Sequence, residues 1–398
     1  MAAWHRKEIE ALMRIVHIAV GKVNPDSMNG VSKVVHWMAT SQFRQGHDVE
    51  VWGLTTSRTP STRSREYKLR LFPMTRLRVT LGRELKVALG CLEPDTWVHF
   101  HSVFTPEFPA ISRLLKTRGI AYSVTPHGIY ASSGLKKSPW KKRLWIAVRE
   151  ARHLRNAAWI QAVGASEIED IRRIAPRTRV VLIPNGQEPL PAYERVVPAS
   201  VERPLIGFCG RLATQQKGLD YLIEGFADYR AKGGKGELWL IGDGGDRSEL
   251  EKLAAQSGGQ PQVRFLGEKH GEEKLNMLAN LDAFIHSSRW EGLPMSCLEA
   301  ASLGKPLLIS RETNLAKFIE KSGAGLVLDE TSAAGVERAL KRVQRLYEDN
   351  TLEQMGENAR LLIEREFSWE ENARSFVAAI AAARRTIERI SCGSFSGV

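Results

Sequence analysis

An α/β protein of two open domains, each a parallel sheet covered by helices, follows from three features of the sequence. Short apolar runs alternate with helical patterns from end to end. A length of 398 residues suits two domains that each bury a core. A proline-bearing stretch without helical period, residues 187–203, separates two such series and reads as a linker.

The first apolar run, Arg14–Val20, leads into a loop over residues 21–30 and a helical stretch over 31–44. Val34, Val35 and Met38 share one face of that helix, and Gly46 ends it. Residues 49–52 read as the second strand, with further strands over 97–101, 120–125, 159–163 and 180–183. The polar stretch 57–70, rich in Arg, Ser and Thr, reads as a loop or a short edge excursion. Pro184, Asn185 and Gly186 close the half with a turn.

The second series places strands over 205–209, 238–241, 263–266, 283–286, 306–309 and 326–328. Helices fill the gaps, among them 218–230 and 248–255, and one long helix starts at Trp369. The expected organisation is a first domain over 1–190, a linker over 191–203 and a second domain over 204–367. Residues 368–398 form a last helix crossing back to the first domain, and a tail. Residues 1–12 read as an extra arm or an over-called translation start. Paired open sheets place a ligand crevice between the domains, facing the strand carboxyl ends.

Hydrophobic residues at 43% and charged residues at 26% are ordinary for a globular protein. No run approaches the ~18 apolar residues of a membrane span. His5, Arg6, Lys7, Glu8 and Glu10 break any secretory core, so the expected location is the cytoplasm. Cys91, Cys209, Cys297 and Cys392 are scattered without metal or redox spacing and read as reduced packing residues.

Charge is uneven. Residues 1–190 hold 30 Lys/Arg against 15 Asp/Glu, whereas the remainder holds 27 against 30. The basic half suits an anionic partner or a solubilising surface. Its densest stretch, 136–155, has eight Lys/Arg and one Glu, with Trp140, Leu144, Val148, Ala151 and Leu154 at helical spacing. That pattern fits a helix lying on an anionic membrane or beside a lipid-linked diphosphate, at the inner face of the plasma membrane. It fits equally a helix that packs its stripe into the domain.

Three segments of the second half stand where strands end. In the first, Gly210 turns the chain out of its strand, and Arg211 and Lys217 lie on a loop that feeds a helix. Two cations beside a positive helix end suit a diphosphate and its departure as a leaving group. The second is a glycine cluster, Gly242, Gly244 and Gly245, which is also a common turn. The third runs from Arg289 to Ala300: Glu291 precedes a helix whose first turn is expected to hold Pro294. The amides of Met295 and Ser296 are then free to meet a ligand. Glu299 lies further in, among Leu298, Ala300 and Ala301, where a carboxylate needs a partner that ribose hydroxyls could supply.

Gly210-Arg211-Leu212 with Lys217-Gly218, followed by Glu291 and Glu299 with seven residues between them, resembles glycosyltransferase family 4. The resemblance extends to Asn29-Gly30, Thr125-Pro126-His127-Gly128, Ile183-Pro184-Asn185-Gly186 and Gly304-Lys305-Pro306. It implies a GT-B fold, two Rossmann-like domains facing each other across a cleft, and a retaining enzyme that needs no metal or other cofactor. The implied co-substrate is a nucleoside-diphosphate sugar; the implied acceptor is a glycan or lipid-linked hydroxyl in bacterial surface polysaccharide or lipid-linked glycan assembly. Implied roles are Arg211 and Lys217 on the diphosphate, Glu291 on sugar hydroxyls, Glu299 on the ribose and His127 on the sugar or its phosphate. Gly30, Met295 and Ser296 complete the implied donor site. Many members carry paired glycines where this chain has Asn29-Gly30, and glycine where it has Pro294.

Two other readings remain at the level of sequence. A sugar-nucleotide epimerase can share the architecture and would form an isomer without acceptor. A nucleic-acid-binding protein would suit the pI of about 9.6, but no helix-turn-helix, zinc or RNA-binding signature is present, so no nucleic-acid partner is expected.

Overall fold

The computed structural model describes residues 12–25, 29–57, 64–76, 78–130, 145–259 and 261–393. Two wholly parallel sheets form, one in each half. The first contains β1 (Arg14–Val20), β2 (Asp48–Thr55), β3 (Lys68–Pro73), β4 (Trp97–His101), β5 (Tyr122–Thr125), β6 (Trp159–Ala162) and β7 (Val180–Leu182), in the order β3-β2-β1-β4-β5-β6-β7. The second contains β8 (Leu205–Cys209), β9 (Glu237–Ile241), β10 (Val263–Gly267), β11 (Ala283–His286), β12 (Leu307–Ile309) and β13 (Gly325–Val327), in the order β10-β9-β8-β11-β12-β13. Strand order reverses beside β1 and beside β8. At such switch points the carboxyl-end loops diverge and leave a crevice.

The apolar runs become strands because helices cover both faces of each sheet, so nearly every position is buried. Ile15, Val16 and Ile18 of β1 have no exposure. The helix Gly30–Arg44 starts where Asn29 Oδ1 accepts from the Val31 amide at 3.0 Å, a side-chain cap. It buries Val34, Val35 and Met38.

One apolar cluster joins the halves, running from Ile15, Trp97 and Trp159 to Phe284, Leu298 and Phe376. Phe376 belongs to the last helix, Trp369–Gly393. Its ring centroid lies 4.7 Å from His99 and 5.0 Å from Trp159, so this helix packs on the first domain. Gln45 Nε2 donates to the Glu370 carbonyl at 2.9 Å on the same contact.

One expectation needs correction. The stretch 57–70 leads into a full parallel edge strand, β3, which pairs with β2 from Lys68 to Pro73. Its lysine and arginine remain compatible with the sheet because Lys68 and Arg70 reach Glu50, at 3.1 and 3.8 Å. In the basic stretch 136–155, Trp140 and Leu144 lie outside the described residues. Val148 is 64% exposed while Leu154 is fully buried, so these two members do not share one outward face.

Four histidines of the first domain are at most 1% exposed: His17 on β1, His99 and His101 on β4, and His153. Burial pushes His17 down to about 4 and His153 to about 3, and holds His99 and His101 well below the ordinary 6.5. The unfolded chain therefore binds protons near pH 6.5 that the folded chain refuses until about pH 4, so stability must rise with pH across that window. Glu167, pushed up to about 8 by burial, opposes this, as do Glu150 and Glu188, which burial also raises; the four buried rings outnumber them. Urea unfolding should show a higher midpoint at pH 7 than at pH 5; an equal or lower midpoint would mean that these rings are charged inside the fold.

Candidate active site

The loop after β8 and the loop after β11 meet through backbone. Gly218 adopts φ 62°, and a Cβ there would stand 2.2 Å from the Ser287 carbonyl oxygen, so only glycine allows the approach. Arg289 fastens the two loops: Nη1 donates to the Thr214 carbonyl at 2.9 Å, Nη2 pairs with Asp220 at 2.6 Å, and the guanidinium covers the Tyr221 ring at 3.8 Å. This contact brings Lys217 onto Glu291.

Lys217 Nζ forms an ion pair with Glu291 Oε1. Ser288 Oγ donates to the same oxygen at 3.2 Å, and His286 Nε2 lies 3.4 Å away. Burial alone would raise the Glu291 carboxyl, but Lys217 and His286 outweigh it and hold the group at about 2. Arg211 is exposed beside this pair and reaches Gln216 Oε1 at 3.3 Å.

Glu291 is followed by the helix Met295–Ser302. Pro294 is its N-cap rather than a first-turn residue, so its missing N–H costs the helix nothing. The Met295 and Ser296 amides begin the helix and have no acceptor within it. One turn on, Glu299 is 7% exposed. Its Oε1 takes Lys33 Nζ and Lys274 Nζ, each at 2.7 Å, while its buried Oε2 has no partner among the described residues. Burial raises this carboxyl, and the two ammonium groups outweigh that and keep it ionised. Lys33 belongs to the first domain, so this ion pair crosses the cleft.

The first domain supplies the opposite wall. His127 follows β5 with φ 56°, and Gly128 follows with φ 77°. A Cβ on Gly128 would stand 2.5 Å from the Gly292 nitrogen, which places the two backbones in direct contact. Asn314 secures the same loop: Nδ2 donates to the Glu291 and Gly292 carbonyls at 3.1 and 2.9 Å, and Oδ1 accepts from the Ser166 amide at 3.1 Å. Glu167 accepts from the Val163 amide at 3.0 Å through Oε2, and its buried Oε1 has no partner among the described residues. Burial pushes His127 down to about 4, so its ring is neutral, and its Nε2 pairs with His101 Nδ1 at 3.2 Å.

Gly30, His127, Arg211, Lys217, Glu291, Met295, Ser296 and Glu299 all line one cavity of about 650 Å³. The structure therefore brings together the residues expected around the donor. A second cavity of about 1320 Å³ opens behind the Glu291 loop, toward Arg173, Phe318 and Arg365. It is larger, and Val163, Glu291 and Leu293 line both cavities. Among the described residues, no group of three His, Cys, Asp or Glu could hold a metal ion, and no helix is long and apolar enough to cross a membrane.

Sequence reasoning missed Lys33, Lys274, Asn314, His286 and Glu167. A lysine on a helix reads as a solvated charge, and nothing local shows that Lys33 and Lys274 are drawn to a carboxylate in another element. Ribose is the partner that the sequence suggests for Glu299; two lysines also hold one of its oxygens, Oε1.

Known proteins share this fold. Residues 28–189 match the model for Glycosyltransferase Family 4, and residues 191–362 match the model for Glycosyl transferases group 1. The lipopolysaccharide core biosynthesis glycosyltransferase LpsE of Rhizobium meliloti is 32% identical over 177 residues, which cover 44% of this chain and 47% of that protein. The chain thus spans about half the length of that relative. Among solved structures, sucrose-phosphate synthase from Thermosynechococcus elongatus superposes with a TM-score of 0.77 at 18% identity, over 94% of this chain and 100% of that one. Anabaena HepE in complex with UDP-glucose superposes with a TM-score of 0.70 at 14% identity, over 93% and 100%. Two parallel Rossmann-like sheets across a cleft, together with the two family matches, make this chain a member of the GT-B glycosyltransferases of group 1 and family 4.

Proposed function

We propose that the cleft binds a nucleoside-diphosphate sugar and transfers the sugar to an acceptor hydroxyl with retention at the anomeric carbon, without a metal. The observation that carries this reading is the convergence, on one cavity wall, of Arg211, Lys217, a free helix start and a buried carboxylate oxygen without a partner. Cations and amides match a diphosphate. Glu299 Oε2 matches a ribose hydroxyl, since Lys33 and Lys274 occupy only Oε1.

In this reading the bond from anomeric carbon to phosphate oxygen breaks first, and its electron pair leaves with the diphosphate. Lys217 and Arg211 stabilise the charge that develops there. The acceptor oxygen attacks the same face, and the departing phosphate oxygen takes the acceptor proton. Glu291, fixed by Lys217, Ser288 and Asn314, orients the sugar hydroxyls rather than attacking carbon. His127 and Gly30 bound the site from the first domain.

The acceptor side is the first domain, and a glycan or lipid-linked hydroxyl is the class of acceptor we assign. The name of LpsE, a lipopolysaccharide core enzyme, supports a role in surface-glycan assembly. The UDP-glucose held by HepE supports a nucleotide-sugar donor. The place of action we assign is the cytoplasm, at the inner membrane face where the basic stretch 136–155 would meet anionic lipid.

Nucleotide sugars screened by thermal shift should raise the melting temperature with at least one donor. With that donor and an acceptor, proton NMR should show an anomeric product configuration equal to the donor's; inversion contradicts the mechanism, and isomerised donor without acceptor indicates an epimerase. Lys217→Ala should lower kcat/KM by about 10²–10³-fold while circular dichroism stays unchanged. Undiminished turnover removes Lys217 from the site.

Glu299→Ala leaves Lys33 and Lys274 buried without their anion. A loss of roughly 3–5 kcal/mol in unfolding free energy is expected. Denaturant unfolding checks it, and a loss under about 1 kcal/mol would place the lysines in water.

A further inference from the structure

His127 is the visible end of a longer polar chain. Its Nε2 pairs with His101 Nδ1 at 3.2 Å, and the two rings stack 15° apart. His101 Nε2 pairs with His17 Nδ1 at 2.9 Å, and His17 Nε2 with Gln42 Oε1 at 2.7 Å. The chain runs from the cleft, across the carboxyl half of β4 and β1, to the helix Gly30–Arg44. Among the described residues, His127 Nδ1 has no partner, and the ring lines the cleft cavity.

Each ring in this chain is neutral, because burial holds His17 and His127 at about 4 and His101 well below 6.5. A neutral imidazole has one N–H and one lone pair, so each link dictates the next. A carbonyl oxygen such as Gln42 Oε1 can only accept, which puts the His17 proton on Nε2. His17 Nδ1 is then a lone pair and requires a proton on His101 Nε2. His101 Nδ1 in turn requires a proton on His127 Nε2. The last nitrogen, His127 Nδ1, is left as a bare acceptor.

The direction of the chain is set at Gln42, whose buried Nε2 has no partner among the described residues, and the neighbouring column leaves it undisturbed. His99 is fixed in the Nε2–H form by a second column. Trp97 Nε1 donates to Ser123 Oγ at 2.8 Å, and Ser123 Oγ lies 2.7 Å from His99 Nδ1. On the other side His99 Nε2 lies 2.7 Å from Thr125 Oγ1, which donates to Gln161 Oε1 at 2.7 Å. Gln161 is itself oriented, because its Nε2 donates to the Ile183 carbonyl at 2.8 Å. His99 thus offers nothing to His101, whose ring it meets edge-on at 83°. Phe376 covers His17 and His99 from the last helix, and His17, His99 and His101 are at most 1% exposed. In such a dry interior, two facing N–H groups or two facing lone pairs would cost more than the bond is worth.

We propose that Gln42, His17 and His101 are positioning residues that set the tautomer of His127, so that its Nδ1 accepts a hydrogen bond from a hydroxyl of the bound donor sugar. The identity of that hydroxyl-bearing ligand rests on the reading of the cleft given above; the tautomer relay itself does not.

The test is two-bond 15N–1H NMR of the full chain labelled with 15N-histidine, with His127 assigned through His127→Asn. Wild type should show His127 protonated at Nε2 and bare at Nδ1. Gln42→Leu removes the terminal acceptor and should shift His127 toward a mixture of tautomers. The same variant should lower kcat about twofold with the donor at an even mixture, the share of His127 that loses the accepting tautomer, without a matching rise in KM. A wild-type His127 protonated at Nδ1 overturns the relay, as does a Gln42→Leu spectrum identical to wild type. If Gln42→Leu does not fold, the wild-type spectrum alone decides. The expected tautomer in a protein that turns over no nucleotide sugar would leave the relay standing and sink the functional reading.

Discussion

Two ionised, largely buried carboxylates stand in the cleft wall, and the surrounding structure is arranged around keeping them charged. An isolated buried carboxylate would neutralise. Here Lys217 compensates Glu291, and Lys33 with Lys274 compensates Glu299. Each compensation constrains the fold. Lys217 reaches Glu291 only because Gly218 lets one loop rest on the Ser287 carbonyl. Lys33 reaches Glu299 only when the two domains are together. Charge balance in the site is therefore also a contact between domains.

That contact is extended by backbone. Gly128 and Gly292 touch without side chains between them, and Asn314 bridges Ser166 to the Glu291 loop. The loop bearing Glu291 is thus held by its own domain through Arg289 and by the opposite domain through Ser166. Positions fixed from two sides favour a preorganised site, in which little motion remains to be paid for when the ligand arrives. The switch points beside β1 and β8 explain why the cleft lies where it does, and the covering last helix keeps the first sheet dry around its histidines.

Much of the architecture was legible because fully buried parallel strands leave continuous apolar runs, as at Arg14–Val20 and Ala283–His286. β3 was hidden because Lys68 and Arg70 look like loop residues until Glu50 on the neighbouring strand is seen beneath them. The residues expected around the ligand were legible because each lies just after a strand or at a helix start. Their partners were not. Lys33 and Glu299 are 266 positions apart, and no local pattern links them. The histidines of β1 and β4 looked like ordinary strand positions, since a network that spans neighbouring strands leaves no spacing rule within either. Pro294 reads equally well in a first turn or at a cap, and only the backbone distinguishes the two.

The account stands or falls on where a diphosphate sits. A crystal structure of the full chain with a bound nucleoside diphosphate is the direct measurement. The phosphates should contact Arg211, Lys217 and the amides of Met295 and Ser296, with a ribose hydroxyl on Glu299 Oε2. Phosphates seated instead in the larger cavity, against Arg173 and Arg365, would contradict it.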